Sequence, residues 1–407
     1  LTRWLAHSQI TYLGLRPVLD LLFRKDESPA FRIWVRFLLD ITRRACAGKQ
    51  PVIWMNAFAP TEIVYGLRAV PVMPEIIASL VAYLGWSRRP IALADSEIST
   101  DLCSFYRCAL GLVLEDYLPR PDLILSSSHL CDGANKFFHS LSEIYGCPHL
   151  MLDPPYTRNP HGHRYMVSQI KDLVVTACEI LGVPLDLGHF ASVLTLSNEA
   201  RKYMAKVNVL RRCKPSPLPG RDGLSYVAGM NFSSLGSRWG SRFYQSLYHH
   251  VRGKVARGQG YLQREKRRLL WLHHIRPYYR NEIFQILDEH HVAVSFEEPN
   301  FLYWSYLEPS EPWESLAGKI LSNVWAGPLE RRVEAIRKMA EAYGIDGAIH
   351  FSHWGCRQAC GGAGIIADDL KEKGIPCAVL PGDGADSDNY SPGQTRTRLE
   401  ALVEMLE

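Results

Sequence analysis

Leu123-Ile124-Leu125-Ser126-Ser127-Ser128-His129-Leu130-Cys131 is the stretch on which the fold turns. Three apolar residues give way to small polar ones, and a cysteine then opens a run over 131–145 with apolar residues at helical spacing. So short an apolar run, followed at once by turn residues, reads as a buried strand. Strand, polar turn and helix make half of a βαβ unit. The same rhythm recurs on both sides. Apolar runs at 52–55, 91–94, 123–125 and 149–152 alternate with amphipathic stretches at 61–69, 101–117, 131–145 and 165–181. It resumes later, with runs at 269–273, 292–296, 348–351 and 377–380 between helical stretches at 281–289, 330–343, 357–373 and 394–406. Alternation of this kind predicts mostly parallel sheets. The expected fold class is α/β, with two doubly wound, mostly parallel sheet domains at 51–186 and 267–407. A helical N-terminal arm over 1–50 and a helical connector over 187–266 complete it, and no internal sequence repeat is evident.

The composition limits the function classes. The chain has 407 residues, 47% hydrophobic and 22% charged, which excludes a disordered, collagen-like or disulfide-scaffold protein. A net charge of +4 is too mild to point to nucleic acid. No apolar run reaches the roughly 18–20 residues of a spanning helix. Arg3, His7, Arg16 and Asp20 interrupt the N-terminal apolar residues, so this stretch reads as an amphipathic helix and not as an export signal. The missing initial Met suggests a trimmed or incomplete chain. A cytoplasmic, reducing location is the expectation, and there ten cysteines read as free, metal-bound or catalytic.

Three of those cysteines occupy matching places. Cys131 follows the run at 123–125, and Cys356 follows the run at 348–351. Cys103 lies near the start of the helical stretch after 91–94. All three are thus expected beyond strand carboxyl ends, where open α/β sheets bind ligands. Each would also sit at a helix N-terminus, which favours thiolate. Three thiolates from three loops are a donor set for an iron–sulfur cluster, although this spacing is not the compact ferredoxin run. Small buried hydrophobes are the equal alternative on placement alone. Cys360 lies four residues after Cys356 and would share its helical face.

The residues around these cysteines resemble a known family. His353-Trp354-Gly355-Cys356-Arg357-Gln358 resembles a motif of the 2-hydroxyacyl-CoA dehydratase and benzoyl-CoA reductase superfamily. Leu102-Cys103-Ser104-Phe105 and Cys131-Asp132-Gly133 look like its other cysteine motifs. Pro60-Thr61-Glu62-Ile63-Val64-Tyr65 with Val70-Pro71-Val72 resembles its first loop. Gly382-Asp383-Gly384-Ala385-Asp386, Gly393-Gln394 and Thr397-Arg398-Leu399-Glu400-Ala401 resemble its C-terminal signature. The resemblance implies a four-iron four-sulfur (4Fe-4S) cluster on Cys103, Cys131 and Cys356. It implies an acyl-CoA substrate, a paralogous second subunit or a second copy, and a separate ATP-hydrolysing iron–sulfur activator. The implied chemistry is one-electron: a ketyl radical that expels a 2-hydroxyl, or reduction of an aromatic ring. A third branch carries a double-cubane (8Fe-9S) cluster and reduces small molecules. Cys360 departs from the family pattern. As a fourth ligand it would favour an electron-relay or scaffold subunit without its own substrate site; together with Cys108 it would favour the larger cluster. The first loop also lacks a cysteine at Ala59-Pro60-Thr61, and Ala385 stands where relatives often carry a larger residue.

Other residues carry two readings each. Glu62 follows a strand and opens a helix, so it is a candidate for substrate contact or proton transfer, or else a carboxylate stabilised by the helix dipole. His353 and Trp354 either shape the pocket and donate to a sulfur, or pack at a strand end. His273-His274 are candidates for contacts with the adenine or phosphates of CoA, or for plain solvent exposure. The basic run at 252–268 is a candidate for CoA phosphates, an acidic activator or a partner subunit, or else a solvated helix face. Gly382-Asp383-Gly384 lacks a dinucleotide spacing and reads as a backbone turn near the cleft.

Overall fold

The computed structural model describes residues 28–407. The predicted arm before Ser28 lies outside the described residues. Its described part is the helix Pro29–Ala45, where the Ser28 hydroxyl accepts from the Ala30 N–H.

Eight strands form two parallel sheets. The first holds β1 (Val52–Met55), β2 (Val70–Val72), β3 (Leu123–Ser127) and β4 (His149–Leu152), in the order β2-β1-β3-β4. The second holds β5 (Arg267–Leu272), β6 (Val292–Glu297), β7 (Gly347–His353) and β8 (Cys377–Gly382), in the order β6-β5-β7-β8. Every neighbouring pair is parallel. The central strands are buried almost throughout, as expected where helices cover both faces. Alternate residues serve opposite faces. Trp54 and Ile124 enter one apolar cluster, while Ile53, Leu123 and Leu125 enter another. The first cluster continues through Phe105 and Tyr106 to Trp271 and Phe351, so the two sheets share a core.

Both sheets are wound alike. The chain leaves the first strand to one side, then crosses back to place the third on the other. The switch points lie between β1 and β3 and between β5 and β7, where a crevice opens beyond the strand carboxyl ends. Asn56 ties the first switch point together. Its amide donates to the Ser127 carbonyl at 2.9 Å and its oxygen accepts from the Ser127 N–H at 3.1 Å.

In the chain segment between the two sheets, the helices Leu187–Leu210 and Arg238–Ala256 pack with Pro29–Ala45 around Phe37, Phe243, Tyr244 and Leu247. Two buried ion pairs lie at the end of β6. Arg211 grips Glu297 through two hydrogen bonds of 2.8 and 2.5 Å. Arg332 grips Glu298 at 2.6 and 2.8 Å. Among the described residues, no helix is long and apolar enough to cross a membrane.

Three expectations are corrected. Residues 91–94 are not a strand but the end of the helix Arg88–Ala94, because Arg88-Arg89-Pro90 opens a helix with proline in its first turn. The missing strand is β2, a three-residue edge strand whose Pro71 is tolerated only at an edge. The stretch 357–373 is two helices, Arg357–Cys360 and Ala363–Glu372, parted at Gly361-Gly362.

Candidate active site

Cys103, Cys131 and Cys356 line one cavity of about 1940 Å³. Each is the N-cap of a helix: Ser104–Leu114, Asp132–Tyr145 and Arg357–Cys360 respectively. Cys131 and Cys356 follow the switch-point strands β3 and β7. Cys103 follows a helix, not a strand, and reaches the same crevice through the loop after Arg88–Ala94.

The loops meet through a glycine. Gly355 has φ +75°, and a Cβ there would stand 2.7 Å from the Cys103 nitrogen and 2.9 Å from the Asp101 carbonyl. Backbone therefore touches backbone between the Cys356 and Cys103 loops. At the rim, Arg357 pairs with Asp132 at 2.5 Å and links the Cys356 and Cys131 loops. Gly355→Ala should cost at least about 1–2 kcal/mol from the left-handed backbone alone, and it should push the two loops apart. Urea unfolding checks the first effect; a variant as stable as the parent would refute this reading of the contact.

Burial defeats the expected thiolate character. Helix N-terminal N–H groups do point at the sulfurs: Phe105 at Cys103, Ala134 and Gly133 at Cys131, Ala359 and Gln358 at Cys356. Loss of solvent outweighs them. It raises all three pKa values, with the other cysteines adding to the rise at Cys103 and Cys356, and Cys356 reaches about 12. Without a cation the sulfurs are thiols. A bound metal group displaces those protons.

Each sulfur also has one neutral side chain beside it. His353 Nε2 lies 3.1 Å from Cys103 Sγ, and His273 Nε2 lies 3.7 Å from Cys356 Sγ. Tyr106 hydrogen-bonds Cys131. Burial lowers both imidazole pKa values and raises that of the phenol, so all three groups stay uncharged. His273 has φ +78°, and its N–H donates to Glu298 at 2.6 Å.

Among the described residues no three His, Cys, Asp or Glu side chains come together tightly enough for a single metal ion. A cluster spreads its irons over several ångströms, so thiols lining a common cavity suit it better than they suit one zinc ion. The other two cysteines that bear on ligand number stand apart. Cys360 is exposed, and its thiol donates to the His353 carbonyl at 3.4 Å. Cys108 is fully buried near Asp386, which adds to the burial-driven rise of its pKa to about 12. Neither lines the cavity.

Glu62 does not line it either. Its carboxylate is fully buried and engaged by Lys319 Nζ and the Ser197 hydroxyl, both at 2.6 Å. Burial works against ionisation there, but Lys319 and the hydrogen bonds overcome it and lower the pKa.

Glu75 is an acid that lines the cavity, close to Cys131 through Tyr106, and sequence reasoning misses it. It sits in the first turn of Pro74–Tyr83, directly after the unforeseen β2. Its Oε1 accepts from Tyr106 at 3.0 Å and from the Ala57 N–H at 3.3 Å. Its Oε2 is buried without a partner among the described residues, although the residue as a whole is half-buried. Burial raises its pKa to about 7. Arg221, Lys254, Arg276 and Arg280 line the same cavity, and the acids Asp132, Asp222, Asp288 and Glu289 line it with them.

Residues 56–406 match the family described as 2-hydroxyglutaryl-CoA dehydratase, D-component. The chain is 25% identical over 376 residues to the (R)-phenyllactyl-CoA dehydratase alpha subunit of Clostridium sporogenes, covering 88% of this chain and 90% of that one. It is 22% identical over 397 residues to the alpha subunit of lactoyl-CoA dehydratase from Anaerotignum propionicum, covering 90% and 93%. It is 25% identical over 339 residues to one of the subunits of benzoyl-CoA reductase from Thauera aromatica, covering 76% and 77%. These relatives are parts of acyl-CoA enzymes with different reactions. The chain belongs to the 2-hydroxyglutaryl-CoA dehydratase D-component family.

Proposed function

We propose that this chain is the subunit of a 2-hydroxyacyl-CoA dehydratase that holds a 4Fe-4S cluster on Cys103, Cys131 and Cys356. One observation supports it above the others: the three thiols reach one cavity from three separate loops. The donor set fits, since soft thiolates are the usual ligands of such clusters. Dehydration is favoured over ring reduction because the matched family and four of the similar proteins are dehydratases. When bound, the cluster would supply one-electron reduction of the thioester.

The protein's part is binding, dryness and a proton. The cavity exceeds the roughly 300–1,000 Å³ of drug-sized sites, as an acyl-CoA requires. Its arginines and Lys254 suit the CoA phosphates. Glu75 has Oε1 occupied by two donors, which leaves Oε2 to carry a proton. In this reading the neutral acid protonates the departing hydroxyl. The alpha-subunit names of relatives support a partner subunit. In this reading the partner is a paralogous chain, and the low-potential electron would come from a separate ATP-driven activator.

The test is turnover. The cluster-loaded chain, with its partner subunit and a strong one-electron donor, should convert a 2-hydroxyacyl-CoA to the 2-enoyl-CoA. A reducible preparation that consumes neither 2-hydroxyacyl-CoA nor an aromatic CoA thioester contradicts the proposal. Glu75→Gln should lower kcat by about 10²–10⁴-fold without loss of iron. In the parent, the activity that needs neutral Glu75 should fall as pH rises through about 7. Stability carries the same signature. Between the ordinary 4.5 and about 7 the unfolded state releases a proton that the folded state keeps, so stability declines with rising pH in that window. Urea titrations at pH 5 and 8 should show Glu75→Gln gaining on the parent at pH 8; equal shifts would refute the neutral acid.

A further inference from the structure

We propose that His353 sets the reduction potential of the cluster by donating one hydrogen bond, of fixed direction, from Nε2 to the Sγ of Cys103. The proposal rests on the reading of Cys103 as an iron ligand.

The direction follows from the far side of the ring. The Gly384 N–H donates to His353 Nδ1 at 3.1 Å. A ring nitrogen that accepts a hydrogen bond carries no proton, so the ring's single proton sits on Nε2. That nitrogen is 3.1 Å from Cys103 Sγ. The imidazole is fully buried, and the Phe105 ring lies against it at 66° with centroids 5.4 Å apart.

The turn that supplies the Gly384 N–H is held from several sides. A Cβ on Gly384 would stand 2.6 Å from the Phe105 ring and 2.7 Å from Ile275, so only glycine fits the turn in this place. Asp383 Oδ1 accepts from the Ala385 and Asp386 N–H groups, both at 2.9 Å, and from the Ser104 hydroxyl. Arg107 holds Asp386 at 2.6 Å, and the Trp354 N–H bonds the Gly382 carbonyl at 2.8 Å. Ser104 and Arg107 lie on the helix that Cys103 caps. The same contacts therefore place the sulfur, the imidazole and the group that orients it. This gives the Gly382-Asp383-Gly384 turn a function without any nucleotide.

A hydrogen bond to a ligand sulfur withdraws charge and stabilises the reduced cluster, which raises its potential. His353 acts through Cys103 and is a positioning residue. Two variants separate the hydrogen bond from mere packing. The amide of His353→Gln can reach the sulfur in place of Nε2. The shorter side chain of His353→Asn can meet only the Gly384 N–H. The experiment is an EPR-monitored redox titration of the anaerobically purified full-length protein and both variants, with iron and sulfide measured on each sample. The expected result is a midpoint near the parent's for the glutamine variant and a distinctly more negative one for the asparagine variant, at equal iron. Equal midpoints in the two variants overturn the proposal while leaving the cluster assignment standing. A parent protein with no reducible cluster overturns the assignment itself, and this proposal with it.

Discussion

Serine in place of Cys103, Cys131 or Cys356 should abolish the visible iron–sulfur absorption of the anaerobically purified protein, and turnover with it. In the proposed assignment each sulfur supplies a third of the donor set, and among the described residues no other cysteine lines the cavity. Cys360 donates to a backbone carbonyl and Cys108 is buried elsewhere. The fold should survive, because serine is close in size and none of the three thiols joins a disulfide. The control is Cys360→Ser, expected to retain full iron. Far-UV circular dichroism and iron content on the four variants provide the check. Full iron in all three ligand variants would show that these cysteines are structural, and loss of iron in Cys360→Ser would restore the four-ligand relay reading.

Arg332→Met should destabilise the protein by about 3–5 kcal/mol, the cost of leaving a buried carboxylate unpaired. Arg332 and Glu298 are 1% and 0% exposed, and the guanidinium meets the carboxylate through two bonds. Burial opposes the Glu298 charge, but Arg332 reverses the balance and lowers its pKa. The carboxylate also accepts from the Trp325 indole and the His273 N–H. Without Arg332 it must take up a proton or draw in water, and either disturbs His273 beside Cys356. Adding Glu298→Gln should recover part of the loss, since it removes the stranded charge and keeps an acceptor. Urea unfolding of both variants measures this. A single variant within 1 kcal/mol of the parent, or a double variant worse than the single, would contradict the account.

The strand carboxyl ends are legible in the sequence, but not every residue that meets there. β1 and β3 stand out because buried central strands carry unbroken apolar runs, and β7 stands out despite His350 within its run. Cys131 and Cys356 can be placed because they follow such runs directly. The route to Cys103 misleads: Ile91-Ala92-Leu93-Ala94 has strand-like hydrophobicity, yet Pro90 in the preceding turn makes it helix. β2 is invisible because three residues with a central proline carry no strand pattern. Glu62 and Glu75 hold like places in the fold, each an acid in the first turn of a helix after a strand, but only the strand before Glu62 shows in the sequence. What separates them is distant in the chain. Lys319, 257 residues on, takes Glu62, whereas among the described residues Glu75 accepts from Tyr106 and a backbone N–H alone. The thiolate expectation fails for a similar reason, because helix N-termini are local and burial is a property of the whole fold.

Iron and acid-labile sulfide per chain, on anaerobically purified protein with its EPR spectrum in the reduced state, test the central claim most directly. The account predicts about four irons and about four sulfides, with the signal of a reduced cubane. A folded protein, handled without oxygen, that contains no iron would contradict it.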